Sequence, residues 1–142
     1  MKISKQGLEL IKKYEGFKGK RYLCPAGKWT IGYGHVLRNG EDFEEINELQ
    51  AEELLRQDII HAENAVNSYV QVKITQGQFD ALVSLTFNWG ANNFLHSKGL
   101  SKLNEMDYDG AIKEFMEVNK VKGVIMAGLA KRRDEESKLF YT

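Results

Sequence analysis

The sequence predicts a helix-dominated α+β fold, with a small N-terminal β-hairpin lobe, a larger helical lobe and a cleft between them. Three observations lead there. The stretch from Gly16 to Gly40 holds six glycines and the only proline of the chain, a composition suited to tight turns between short strands. Apolar residues on either side of it recur at helical spacing. A single proline in 142 residues leaves the rest of the chain free to run in helices. The expected organisation is one domain over residues 1–142, with a sheet lobe over about 16–46 and a helical body over about 47–142 joined by the N-terminal helix. A chain of this length buries roughly two thirds of its unfolded surface, so neither metal nor disulfide is required for stability.

Taken in order, Ser4 is placed to cap a first helix whose Leu8, Ile11 and Tyr14 share one face and which ends at Glu15. Trp29-Thr30-Ile31-Gly32-Tyr33-Gly34-His35 alternates as a strand does. Asn47 and Gln50 form a capping pair before a long helix with Ala51, Leu55, Asp58/Ile59, Ala62, Val66 and Tyr69 on one face. Thr75-Gln76-Gly77-Gln78 reads as a second capping box, opening a helix through Phe79, Leu82, Val83 and Phe87 that stops at Asn88-Trp89-Gly90. Shorter helices are expected over about Ser97–Asn104, from Asp107 or Asp109 to Val118, and over Val124–Phe140. No repeat, low-complexity tract or linker interrupts the pattern.

Composition narrows the function. Cys24 is the only cysteine, which excludes an internal disulfide. No run of about 18 apolar residues exists, so no transmembrane helix is expected, and the charged amphipathic start gives no apolar signal core. A route out of the cell supplied by something else is therefore expected. Net charge is zero but unevenly spread. Residues 1–38 carry nine Lys/Arg against Glu9 and Glu15, whereas residues 39–68 carry nine acids against Arg56. A basic N-terminal segment suits an anionic polymer, and equally it suits solvated faces with no partner. His61 and His96 share no metal-ligand spacing with Cys24 or each other, and no glycine-rich phosphate loop is present.

The chemistry is concentrated in Glu15-Gly16-Phe17-Lys18-Gly19-Lys20-Arg21-Tyr22-Leu23-Cys24-Pro25-Ala26-Gly27-Lys28-Trp29-Thr30, followed by Ile31-Gly32-Tyr33-Gly34-His35. A carboxylate at a helix end, a thiol and a hydroxyl are spaced so that a turn in the sheet brings them to one wall. Cleaving a glycosidic bond requires an acid for the leaving oxygen and a second group for the attacking water or the developing positive charge.

The spacing Glu-x8-Cys-x5-Thr with Ile-Gly-Tyr-Gly-His resembles phage-type lysozymes, the endolysins of glycoside hydrolase family 24, whose pattern has Asp or Cys at the second position. The likeness continues through Gln78–Ser84 with Phe87-Asn88-Trp89-Gly90, and through Gly128–Arg133 with Glu136, so it covers roughly Ile3 to Leu139. It implies a lysozyme-like fold with Glu15 as general acid, Cys24 at the second catalytic position and Thr30 holding the nucleophilic water. It also implies that Arg132 or Arg133 partners Glu15. Beside these roles stand plainer ones: a surface acid for Glu15, a small packing residue for Cys24, a strand-forming residue for Thr30. His35 orients a cleft group or bonds the turn backbone. Asn88 contacts sugar or caps its helix. Tyr22, Trp29 and Tyr33 stack on sugar rings or pack between the lobes.

The resemblance implies a muramidase that hydrolyses the β-1,4 bond between N-acetylmuramic acid and N-acetylglucosamine in peptidoglycan and lyses the host cell. It implies a monomer without cofactor or metal, with peptidoglycan glycan strands as partner and neither nucleic acid nor stable membrane association. The expected course is synthesis in the host cytoplasm, holin-dependent release through a membrane lesion, and action on the wall. A lytic transglycosylase and a wall-binding module that lost activity with aspartate at position 24 are the rival readings. Cysteine departs from the commoner aspartate because an ordinary thiol, with a pKa of about 8.5, is mostly protonated at neutral pH.

Overall fold

The structure, a computed structural model, describes all of residues 1–142. The chain folds as two compact units, one of residues 11–60 and one of residues 1–10 with 61–142.

The unit of residues 11–60 carries the sheet. Helix α1 (Lys5–Glu15) starts after Ser4, whose Oγ lies 3.5 Å from the Gly7 N–H, and it ends at Gly16, whose positive φ of 73° lets its N–H turn back to the Lys12 carbonyl. Strands β1 (Lys18–Leu23), β2 (Trp29–Gly32) and β3 (His35–Val36) follow in an antiparallel sheet of order β1-β2-β3. The β1–β2 loop is Pro25-Ala26-Gly27. Gly27 N–H donates to the Cys24 carbonyl at 2.8 Å and Cys24 N–H to the Lys28 carbonyl at 2.9 Å, with Gly27 left-handed at φ 77°. This is a proline-led turn closed by a glycine bulge, which fixes the register next to it (Leu23 with Trp29, Tyr22 with Thr30) before an irregularity in β1 shifts it to Lys18 with Gly32.

The single strand expected over Trp29–His35 is instead two strands around Tyr33-Gly34, with Gly32 and Gly34 at φ 68° and 82°. Alternation persists on both sides of so tight a turn, so periodicity alone does not reveal the break. Helix α2 (Glu48–Tyr69) opens with the expected reciprocal pair, Gln50 N–H to Asn47 Oδ1 and Asn47 N–H to Gln50 Oε1. Ala51, Leu55, Ile59, Ala62 and Val66 form its buried stripe, as their spacing predicts.

The other unit is helical. Helix α3 (Gln76–Trp89) begins in the expected capping box, with both the Thr75 and the Gln78 side-chain bonds formed, and ends where Gly90 N–H returns to the Thr86 carbonyl. A short α4 (Ala91–Leu95) was not expected. It precedes α5 (Lys98–Asn104), capped by Ser97, and α6 (Tyr108–Met116), capped by Asp107. Gly99 is required where α5 meets α6, because a Cβ there would stand 2.7 Å from Phe115 Cδ1 and Cζ.

The helix expected from Val124 begins at Ala127. Before it, β4 (Lys120–Val121) and β5 (Val124–Ile125) form a two-stranded hairpin turned by Lys122 and Gly123 at φ 50° and 81°. β-Branched Val121, Val124 and Ile125 favour strand over helix, and a left-handed residue pair is what a two-residue hairpin turn demands. Helix α7 (Ala127–Phe140) packs along α3. Phe79, Leu82, Phe94, Leu103, Phe115 and Phe140 are buried in this unit.

Candidate active site

The hairpin geometry determines what stands at residues 15–35. Glu15 is the last residue of α1 and half-buried. The Gly32–Gly34 turn brings the backbone up to it: a Cβ at Gly34 would lie 3.5 Å from Glu15 Oε1. The left-handed Gly34 thus brings the turn's backbone close to the Glu15 carboxyl, a placement that the sequence pattern showed only as a turn signal.

Cys24 occupies the first position of the Pro25-led turn. At that position a side-chain acceptor meets the N–H two residues on, the geometry that makes Asp, Asn and Ser favourable there. The sulfur is half-buried. The Lys28 backbone N–H is the largest influence on it. Partial burial opposes that effect, the Ala26 N–H and the Thr30 hydroxyl add to it, and the thiol is held below its ordinary value. Each of these donors bonds the thiolate better than the thiol. Thr30 is buried, pairs with Tyr22 across the sheet, and is 3.0 Å from the Lys28 carbonyl. Its one proton goes either to that carbonyl or to the sulfur, so a hydroxyl that rests on the carbonyl can rotate to a thiolate when one forms. Of the three residues singled out by spacing, Thr30 is the one whose hydroxyl helps hold the Cys24 thiol low, and both meet Lys28 of the turn, Cys24 through its backbone N–H and Thr30 through its hydroxyl.

His35 is buried at the start of β3, with Nδ1 2.8 Å from Asp58 Oδ2 and Nε2 3.0 Å from Glu41 Oε1. Arg38 adds a 3.1 Å bond from Nη2 to Asp58 Oδ1 and a 2.6 Å bond from its backbone N–H to Glu41 Oε1. Burial pushes the Glu41 carboxyl up. The Arg38 N–H, the His35 ring and the Arg38 charge together outweigh that push and hold it below the usual carboxylate value. The imidazole therefore ties β3 to α2 and to the loop after β3, with no surface left for direct sugar contact.

The remaining candidates belong to the helical unit. Asn88 is exposed near the end of α3. Arg132 and Arg133 are buried and converge on Glu136 of the same helix, with Nε–Oε separations of 3.3 and 2.7 Å, while Ser84 of α3 donates to Glu136 Oε2 at 2.5 Å. Arg133 Nε meets Glu136 as an ion pair but out of line for a hydrogen bond. The partners Asp58, Glu41 and Glu136 carry no catalytic signature in sequence; only their helical or loop spacing to a cation hints at them.

The sequence model of the phage lysozyme family matches residues 12–136. An endolysin of Acyrthosiphon pisum secondary endosymbiont phage 1 is 46% identical over 99% of this chain and 98% of its own length. Among solved structures, the muramidase domain of SpmX from Asticcacaulis excentricus superposes with a TM-score of 0.91 at 37% identity, covering 99% of this chain and 98% of that one. P22 lysozyme does so with a TM-score of 0.92 at 34% identity, covering 100% and 99%. A further relative, from Haemophilus phage HP1, bears the name SAR-endolysin at 34% identity over 96% of this chain and 80% of its own. The Glu15, Cys24 and Thr30 spacing, the helix–sheet–helix order that carries it and these matches agree: the chain belongs to the phage lysozyme family.

Proposed function

We propose that this chain is an endolysin-type muramidase, a glycoside hydrolase that cleaves the β-1,4 bond between N-acetylmuramic acid and N-acetylglucosamine in peptidoglycan. Glu15 acts as general acid, Cys24 as the second catalytic group, and Thr30 holds the water. The observation that carries the reading is the environment of Cys24. Two backbone N–H groups and the Thr30 hydroxyl favour its charged form, the state a glycosidase needs beside a proton-holding acid. The names endolysin, muramidase and lysozyme among its relatives support the substrate.

In the reaction Glu15 gives its proton to the glycosidic oxygen as the bond from that oxygen to the anomeric carbon breaks. Positive charge grows on the anomeric carbon and the thiolate stabilises it. Water positioned by Thr30 adds to that carbon and passes its proton to the thiolate. Asn88, exposed on α3, remains a candidate sugar contact. Arg132 and Arg133 hold α7 against α3 through Glu136 and Ser84, and His35 holds the loop after β3. The enzyme works as a monomer.

Clearing of a bacterial wall suspension, with release of new reducing ends, tests the reading. Glu15→Gln lowers the rate by about a hundredfold or more, because an amide has no proton to give at that step; wild-type clearing by this variant would sink the assignment. A thiol held below its ordinary value ionises at lower pH than an unassisted cysteine, so the rate rises with pH earlier. Cys24→Asp keeps activity and loses that rise, while Cys24→Ser loses most activity. Full activity in Cys24→Ser would leave the thiol a packing residue.

No helix of the structure is long and apolar enough to cross a membrane. Passage through a holin-type lesion is part of the proposal, whereas the SAR-endolysin name of a relative points to another release route. Lysis on expression without a holin would overturn that part alone.

A further inference from the structure

Strand β1 is irregular where it passes Thr30. Tyr22 stands directly opposite Thr30, while Lys18, four residues back in β1, stands opposite Gly32, only two residues on in β2. Regular pairing would spread the four steps of β1 over roughly 13 Å, whereas the irregularity sets them against two steps of β2, roughly 7 Å. Gly32 and Thr30 lie two apart and share a face of β2, and their partners Lys18 and Tyr22 share it with them. Trp29 belongs to the other face. The compression lets the Lys18 ammonium settle over the Tyr22 ring, 5.4 Å from its centroid.

What this ammonium lacks is a carboxylate. Two other cations of the same unit rest on rings and are already neutralised: Lys12 over Tyr33 by Glu52, and Arg21 over Trp29 by Asp42 and Glu44. Lys18 is exposed, pairs with no acid in the structure, and stands in a stretch without an acid from Gly16 to Gly40. Tyr22 is half-buried, and the ring face that the ammonium covers serves as a support and not as a platform for sugar. A cation is therefore held, uncompensated, on the side of the hairpin that carries the Thr30 hydroxyl.

That side is where a substrate lies when Thr30 holds the attacking water. We infer that Lys18 is a specificity-determining residue of the reaction: its ammonium, seated on Tyr22, receives a carboxylate carried by the N-acetylmuramic acid of the strand lying against Thr30. The inference rests on the proposed muramidase reading, which puts the strand there. The muramic sugar offers this chemistry from two sources, the carboxyls of its peptide stem or, where the stem has been removed, its own lactyl carboxyl. N-Acetylglucosamine offers none. A cation at a fixed place thus helps set the register in which an alternating strand binds, and with it which of the two β-1,4 bonds meets Glu15. Tyr22 acts through Lys18, as a positioning residue.

The test follows steady-state cleavage of soluble strands of N-acetylmuramic acid and N-acetylglucosamine, one sample with peptide stems and one stripped of them by an amidase. Lys18→Gln raises KM roughly two- to fivefold, the worth of one exposed ion pair, with the effect in KM and not in kcat. Lys18→Arg restores most of the affinity, since a guanidinium also meets a carboxylate. Tyr22→Leu raises KM by a similar factor, and adding it to Lys18→Gln raises KM little further, because both remove one seated cation. The KM of the parent climbs between low and high salt, and that of Lys18→Gln climbs less. A rise in KM confined to stem-bearing strands assigns the contact to the stem, and a rise on stripped strands assigns it to the lactyl carboxyl. An unchanged KM on both substrates, a loss confined to kcat, or a salt dependence that Lys18→Gln leaves unaltered would overturn the inference. A parent enzyme that cleaves neither substrate would instead strike the muramidase reading.

Discussion

Each unit of the molecule buries one ionic cluster, and the two behave oppositely. In the unit that carries the sheet, His35 lies between Glu41 and Asp58, whose side chains are still 21% and 20% exposed, and Arg38 is more than half exposed. In the helical unit, Glu136, Arg132 and Arg133 are all 5% exposed or less. Glu136 has the more generous set of partners: two guanidiniums and the Ser84 hydroxyl. Even so, burial, its largest influence, pushes its carboxyl up against the downward pull of Arg133, Ser84 and Arg132. Burial also lowers Arg133, and the Glu136 charge only partly restores it. Glu41, with fewer partners and some water, is pushed down. Hydration, more than the number of counter-charges, decides the sign, because the cost of stripping water from a charge grows faster than the attraction gained from a second cation.

The largest effect that would break this comparison comes from Glu136→Gln. The substitution removes the carboxylate on which Arg132 and Arg133 converge, one side of a buried ion-paired cluster. The expected loss is about 3–5 kcal/mol, the cost typical of breaking a buried ion pair by deleting one side. Thermal unfolding followed by circular dichroism measures it. A loss below about 1 kcal/mol would place the site in the surface class of ion pairs and remove the contrast between the two clusters.

The two clusters also show where the sequence was readable. The capping boxes at Asn47 and Thr75, the stripe on α2, the break at Gly90 and the glycine-rich sheet all follow from rules that act within a few residues, and they appear as expected. The Pro25-Ala26-Gly27 turn, which sets backbone N–H groups near the Cys24 thiol, is one of the tight turns that this glycine-rich stretch implies without giving its position. The long-range partners of the two clusters do not follow from such rules. His35 meets Asp58 across 23 residues and Glu136 meets Ser84 across 52, and nothing local to either histidine or glutamate announces it. The β4–β5 hairpin was lost because its Lys122-Gly123 turn is a weaker signal than Asn-Gly and the strands are two residues each. For Trp29 the sequence leaves two roles, stacking on sugar or packing, because alternation alone does not say which face of a strand meets water, and the structure leaves its side chain partly exposed.

The smaller effect sharpens the comparison through pH, using Glu41→Gln. The Glu41 carboxyl is held below its ordinary value of 4.5, so the folded chain binds that proton less readily than the unfolded chain. Its contribution to stability is therefore complete above about pH 4.5 and is lost as pH falls through the lower folded value. Because Glu41 is partly exposed and one of its bonds comes from a backbone N–H, its replacement costs about 1 kcal/mol or less at neutral pH. Unfolding by urea at a series of pH values from about 3 to 6 resolves this sign. The difference between parent and Glu41→Gln shrinks as the solution is acidified. A Glu41→Gln difference that widens on acidification would mean that burial wins in this unit too, and that the partial exposure of its acids is not what separates the clusters.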